Sequence, residues 1–206
     1  MMENKIKLNI ISNRKLCENQ NLEKQIKKIF SAYKKKIYLE NFEIIALTLR
    51  EKDLDKNEYL NLVEKIYPIC KKYRIDLILH QNYDLNLDKK YKIGGFHLSY
   101  EIFKSLNKNI REKLIKKYKR IGVSIHSLDE GKEVEILGAT YVVAGHIFET
   151  DCKKGLKPRG LNFIEELSST LTIPIFAIGG INQENSNLVI DSGAFSVCMM
   201  SSMMKY

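Results

Sequence analysis

The stretch TYVVAGHIFETDCKKGLKPRGLNFIEELSST, residues 140–170, decides how the chain is read. It opens on a short, nearly continuous apolar run, TYVVAGHIF (140–148), rich in β-branched residues. That is the pattern of a parallel strand covered on both faces. The run gives way to a charged loop punctuated by Gly155 and Gly160, and 161–170 then reads as a helix. The unit is therefore strand, loop, helix.

The same unit recurs on either side. Apolar runs stand at 7–12 (KLNIIS), 42–49 (FEIIALTL), 75–80 (IDLILH), 94–99 (GGFHLS), 120–127 (RIGVSIHS), 173–180 (IPIFAIGG) and 194–202 (AFSVCMMSS). Between them lie helical patterns. Residues 20–35 carry Leu22, Ile26, Ile29, Phe30 and Tyr33 on one stripe, and residues 56–73 carry Tyr59, Leu62, Val63, Ile66 and Ile69. The stretches 101–118, 129–137 and 183–192 read likewise, with Gly193 placed to end the last helix. The third connection, 81–92, is mostly loop.

Eight strands alternating with helices in 206 residues predict a compact (β/α)8 barrel, an α/β fold of TIM-barrel type, with residues 1–206 as a single domain. A doubly wound open sheet is the runner-up. It is weakened because no G-x-G-x-x-G follows the first strand. Only four residues follow the last apolar run, so the final outer helix is expected to be missing. A partner, such as a second copy in a homo-oligomer, would then cover the groove between the first and seventh helices.

Composition narrows the function. Net charge is +9, but the basic residues are spread among Glu and Asp along the helical stretches rather than interleaved with aromatics. They read as solvated faces, and no nucleic-acid partner is expected. No apolar run approaches the roughly 20 residues that span a bilayer. The N-terminus lacks a signal-peptide core, so no membrane partner and a cytoplasmic location are expected. Cys17, Cys70, Cys152 and Cys198 are scattered, with no C-x-x-C pair, which suits neither zinc nor a disulfide framework.

In a barrel the carboxyl ends of the strands line the site. Ser12, Asn13 and Arg14 follow the first strand, Arg50, Glu51 and Lys52 the second, and His80 and Gln81 the third. His97, Ser99, Ser124 and His126 belong to the fourth and fifth. His146, Thr150, Lys153 and Lys154 follow the sixth, Gly179 and Gly180 the seventh, and Ser201 and Ser202 the eighth. Gly179 and Gly180, facing Ser201, suit a phosphate site built from bare backbone N–H groups. Arg50, Lys52 and Lys153 add cations, so a small phosphorylated anion is the expected ligand. His146 is the candidate proton carrier, while His126 is read as structural. No metal ligand set is evident.

Several motifs together carry a resemblance. TLREKDLDKNEYLNL (48–62), IGVSIHSLDE (121–130), GATYVVAGHIFET (138–150), IPIFAIGGIN (173–182) and SGAFSVCMMSS (192–202) resemble the thiamine phosphate synthase superfamily. Within it, GHIFETDCKKGLKPRG (145–160) is similar to the sixth-strand loop of the thiazole tautomerase (TenI-like) branch. The synthase branch carries Pro at the positions of His146 and Glu149, and Thr at that of Cys152. It also carries Asn-Asp where His80-Gln81 stands, and an acidic run after the fourth strand where this chain has SYEIF.

The resemblance implies an isomerase. A dearomatised carboxythiazole phosphate would lose a proton from ring C2 and gain one on its exocyclic carbon, with no cofactor and no metal. His146 would carry the proton. Arg50, Lys52, Ser124, Thr150, Lys153, Gly179, Gly180 and Ser201 would hold substrate and phosphate. The alternatives are a Mg²⁺-dependent thiamine phosphate synthase, a transferase joining a pyrimidine diphosphate to a thiazole phosphate, and a non-catalytic regulator that binds a phosphorylated ligand.

Overall fold

The computed structural model describes residues 5–85, 87 and 90–206. Its eight strands are β1 (Ile6–Ile11), β2 (Phe42–Leu49), β3 (Asp76–His80), β4 (Gly95–Ser99), β5 (Arg120–Ile125), β6 (Tyr141–Gly145), β7 (Ile175–Ile178) and β8 (Ser196–Met199). They are hydrogen-bonded in chain order, and the sheet closes into a barrel. The recorded pairs are parallel, as in Val142–Ile175 through Gly145–Ile178 between β6 and β7. This is the (β/α)8 architecture that the strand–helix alternation predicts, and closure excludes the open sheet.

By internal packing the chain falls into two compact units, Met1–Gly94 with Met199–Tyr206, and Gly95–Cys198. In the first unit, α1 (Leu22–Lys34) starts where the Asn21 side chain accepts the Lys24 N–H. Leu22, Ile26, Ile29 and Phe30 of its stripe are buried, and Tyr33 is half-buried. The next helix, α2 (Lys56–Tyr73), keeps the boundaries its periodicity predicts. Asp55 and Glu58 form a capping box at its start, and Arg74 ends it in a left-handed conformation. Residues 82–85 form a turn, and no helix occurs among the described residues of 81–92; residues 86, 88 and 89 lie outside them.

The eighth strand departs from its expected range. It stops at Met199, and Ser201–Met204 forms a one-turn helix, α8, where the sequence left no helix at all. Met203 and Met204 are buried, and the Gln25 side chain of α1 donates to the Met203 carbonyl at 2.7 Å. Two buried methionines thus seat the chain's last turn on α1, which the apolar run alone did not distinguish from continued strand.

In the second unit, the stretch 101–118 is two helices rather than one, α3 (Tyr100–Ser105) and α4 (Lys108–Lys117). Leu106 is extended and buried, and the Asn107 side chain accepts the Asn109 N–H at 2.8 Å. A capping residue in mid-pattern restarts the helix there. Then follow α5 (Leu128–Ile136), α6 (Leu161–Thr170) and α7 (Ser186–Asp191). The last is shorter than its pattern, because Asn182 and Asn185 cap each other's backbone N–H groups and hold 182–185 as a turn. Among the described residues no helix is long and apolar enough to cross a membrane.

Candidate functional site

In the first unit a buried carboxylate organises the ends of β1 and β2. Glu51 is buried, accepts the Ser12 hydroxyl at 2.7 Å, and accepts the Arg14 N–H through both oxygens at 3.0 and 3.1 Å. The Ser12 hydroxyl in turn accepts the Arg50 N–H at 2.8 Å. The Arg14 guanidinium bridges Glu51 at 3.1 Å and Asp53 at 2.7 and 2.9 Å. That contact, with Lys15 beside it, holds the Asp53 carboxyl well below the usual carboxylate range. The network fixes the backbone from which Arg50, half-buried, and Lys52, exposed, project. Sequence reading placed Glu51 in this loop but gave it no task. The signal available was a carboxylate directly between two cations at a strand end.

Tyr59 joins the ends of β2 and β3. Its hydroxyl donates to the Leu49 carbonyl at 2.6 Å and accepts the His80 N–H at 3.2 Å. Burial pushes the phenol far above its ordinary range, so it stays a donor. Tyr59→Phe leaves two buried backbone groups unpaired and is expected to cost about 1–3 kcal/mol. A lower urea midpoint at unchanged slope would show this, and an unchanged midpoint would mean that water replaces the hydroxyl. Ser201 also belongs to this unit, half-buried as the first residue of α8. A cavity of about 440 Å³ lies between the start of α1 and the last residues, lined in part by Lys24, Lys28, Lys205 and Tyr206. None of the sequence-predicted residues lines it.

In the second unit the strand ends gather around His146. Its segment is laid on the end of β7: Ile147 N–H donates to the Ile178 carbonyl at 3.0 Å, and Phe148 N–H to that of Gly179 at 2.9 Å. The approach is close enough that a Cβ on Gly179 would stand 2.3 Å from the His146 Cβ, and one on Gly180 2.4 Å from the Glu149 carbonyl oxygen. The glycine pair is thus required by the chain's own 146–149 segment, whatever else binds there. The His146 ring is buried. Its Nε2 lies 3.2 Å from the Leu156 carbonyl, which can only accept, so Nε2 carries the proton in that bond. Its Nδ1 is buried without a hydrogen-bond partner.

Arg159 secures this arrangement and was missed by sequence reading. Its Nη1 donates to the Gly145 carbonyl at 2.8 Å, its Nε to that of His126 at 3.0 Å, and its backbone N–H to that of His146 at 3.0 Å. One side chain therefore ties the ends of β5 and β6 to the returning loop. The available signal was a cation placed just before the helix-opening Gly160. Within the loop, Thr150 caps a single 3-10 turn, Asp151–Lys153, and Lys153 is half-buried. Ser124 pairs instead with His97, whose Nε2 lies 2.7 Å from its hydroxyl. The His126 ring is half-exposed, with Nδ1 3.4 Å from Glu130.

A closed parallel (β/α)8 barrel with polar and titratable residues at its strand ends has the layout of the barrel enzymes, whose sites lie at that face. Over residues 8–203 the chain matches the family described as thiamine monophosphate synthase, and it belongs to that family. It is 30% identical to the thiamine-phosphate synthase of Clostridium acetobutylicum over 95% of this chain and 85% of that one. It is 34% identical to the thiamine-phosphate synthase of Halalkalibacterium halodurans over 75% of this chain and 72% of that one. A thiamine phosphate pyrophosphorylase from Pyrococcus furiosus shares the fold, with a TM-score of 0.78 at 23% identity over 100% of this chain and 91% of that one. The superfamily expected from the sequence motifs is therefore right. The names of these relatives favour the synthase alternative over the tautomerase branch.

Proposed function

We propose that this member of the family works as a thiazole tautomerase, aromatising a carboxythiazole phosphate by proton transfer through His146. The observation that carries the reading is a buried imidazole with one nitrogen tied to a carbonyl and the other without a partner. Among the described residues nothing bonds that second nitrogen, which leaves it able to exchange a proton. In the step, the ring C2–H bond breaks and its proton goes to His146. The electron pair enters the ring as the exocyclic double bond shifts, and the exocyclic carbon takes up a proton. Aromatisation drives the reaction, so geometry and one titratable group suffice. Lys153 and Thr150 on the adjoining loop, the N–H groups at Gly179 and Gly180, and Ser124 are assigned to the anionic substrate.

The relatives' names support a second reading, a thiamine-phosphate synthase. That chemistry implies Mg²⁺ on the diphosphate, and Mg²⁺ is held by carboxylates and water. Here β3 ends in His80-Gln81 and β4 runs into Ser99-Tyr100-Glu101. Among the described residues no three His, Cys, Asp or Glu side chains converge as a ligand set. The lack of Asn-Asp and of an acidic run at these two strand ends speaks against Mg²⁺ bound as in the synthase pattern, and no step is routed through the ion.

Two assays separate the readings. Aromatisation of carboxythiazole phosphate, followed by its ultraviolet absorbance, is expected to exceed the spontaneous rate and to survive EDTA. Formation of thiamine phosphate from the pyrimidine diphosphate and thiazole phosphate, lost in EDTA and restored by Mg²⁺, would establish the synthase instead.

A further inference from the structure

We infer that Nδ1 of His146 is the atom that takes the substrate proton, and that the Leu156 carbonyl is a positioning group that keeps it bare. The inference rests on the tautomerase reading and adds to it the reacting atom and the device that prepares it. A neutral imidazole carries one proton, on either nitrogen. The Leu156 carbonyl, 3.2 Å from Nε2, binds only the form protonated there. That leaves the lone pair on Nδ1, which is buried and has no partner. An unsatisfied buried acceptor is costly in the free protein, and the cost is recovered when a ligand supplies a donor. A substrate C–H aimed at Nδ1 meets a base already in the right tautomer.

The carbonyl belongs to the loop rather than to the barrel wall. Leu156 N–H donates to the Lys153 carbonyl at 3.2 Å, closing a turn on the 3-10 segment that Thr150 caps. The chain returns at Arg159 and Gly160, whose N–H groups donate to the carbonyls of His146 and Ile147 at 3.0 and 3.1 Å. The loop is therefore anchored on the residue it orients. This gives GHIFETDCKKGLKPRG a task besides its charge: it brings one carbonyl oxygen to the back of the imidazole. As the ring becomes imidazolium, Nε2–H donates more strongly to that oxygen, so the contact favours the protonated state that follows transfer.

The test begins with nitrogen-15 NMR of the full chain labelled at histidine, with His146→Asn used to assign its signals. At a pH where the ring is neutral, Nε2 is expected to carry the proton and Nδ1 to be bare. The opposite tautomer overturns the assignment, whether or not the protein turns over any substrate. Next, the peptide bond between Leu156 and Lys157 is replaced by an ester, using the α-hydroxy analogue of lysine at 157. An ester carbonyl is a weaker acceptor, and no side chain is changed. The Nδ1–H tautomer of His146 should rise, and kcat should fall about 3- to 10-fold, the weight of one hydrogen bond, with KM unchanged. If the ester leaves the tautomer ratio and kcat as they were, Leu156 does not position the ring. If wild-type chain shows no aromatisation while the tautomer is as stated, the tautomerase reading fails and the tautomer assignment stands.

Discussion

His146→Asn is expected to lower the rate of aromatisation by about 100- to 10,000-fold, the range supplied by one positioned general acid–base group. Asn retains an amide that can still donate toward the Leu156 carbonyl, so the loop keeps an anchor. It has no group that exchanges protons near neutral pH. Because Lys153, Gly179 and Gly180 are unaltered, KM should change little while kcat falls. The spontaneous reaction has to be subtracted, since aromatisation proceeds without help. His126→Asn is the control. Its ring is 46% exposed and faces Glu130, so only a small loss is expected. Near-normal turnover in His146→Asn with loss in His126→Asn would move the proton carrier from the end of β6 to the end of β5.

The parts of this molecule that were legible in its sequence are those written in local periodicity. The boundaries of α2 and α6 can be read to the residue, because each apolar stripe is bounded by cap chemistry or by glycine. Where two local signals compete, the pattern misleads. Residues 101–118 keep a helical stripe across a break that Asn107 makes, and AFSVCMMSS continues in apolar character although the backbone turns into α8 after Met199. Apolarity reports burial, and Met203 and Met204 are as buried in a terminal turn as they would be in a strand.

Within the candidate site, sequence identifies the residue types but not their partners. His146, Gly179 and Gly180 are marked by standing at strand ends. The contact that gives His146 its tautomer is made by one backbone carbonyl, that of Leu156, and the backbone around His146 is held by Arg159, 13 positions further on. A carbonyl leaves no trace in a sequence, since every residue has one. Glu51 was hidden for a related reason. Its partners are the Ser12 hydroxyl, which itself accepts the Arg50 N–H, and the backbone N–H and guanidinium of Arg14, and only the fold of the β1 and β2 ends brings these onto a single carboxylate. The residue types at these strand ends could thus be read in advance, while their partners could not.

Gly179→Ala should destabilise the protein by about 2–5 kcal/mol, combining strain of an L residue at positive φ with overpacking against backbone. The residue sits at φ +109°, and its new methyl would lie 2.3 Å from the Cβ and 2.7 Å from the Cα of His146. Neither atom belongs to a flexible side-chain end that could swing away. Relief requires the 146–148 segment to lift from β7, which stretches the hydrogen bonds from Ile147 to Ile178 and from Phe148 to Gly179. His146 moves with it, so kcat should fall even in the fraction that stays folded. Gly155→Ala separates the two causes. Gly155 also has positive φ, +79°, but nothing lies within 4 Å of its Cβ position, so it carries strain alone and should cost about 1 kcal/mol. Urea unfolding of both variants measures the difference. Equal midpoints would mean that the His146 segment yields freely, and that β7 does not hold it in place for proton transfer.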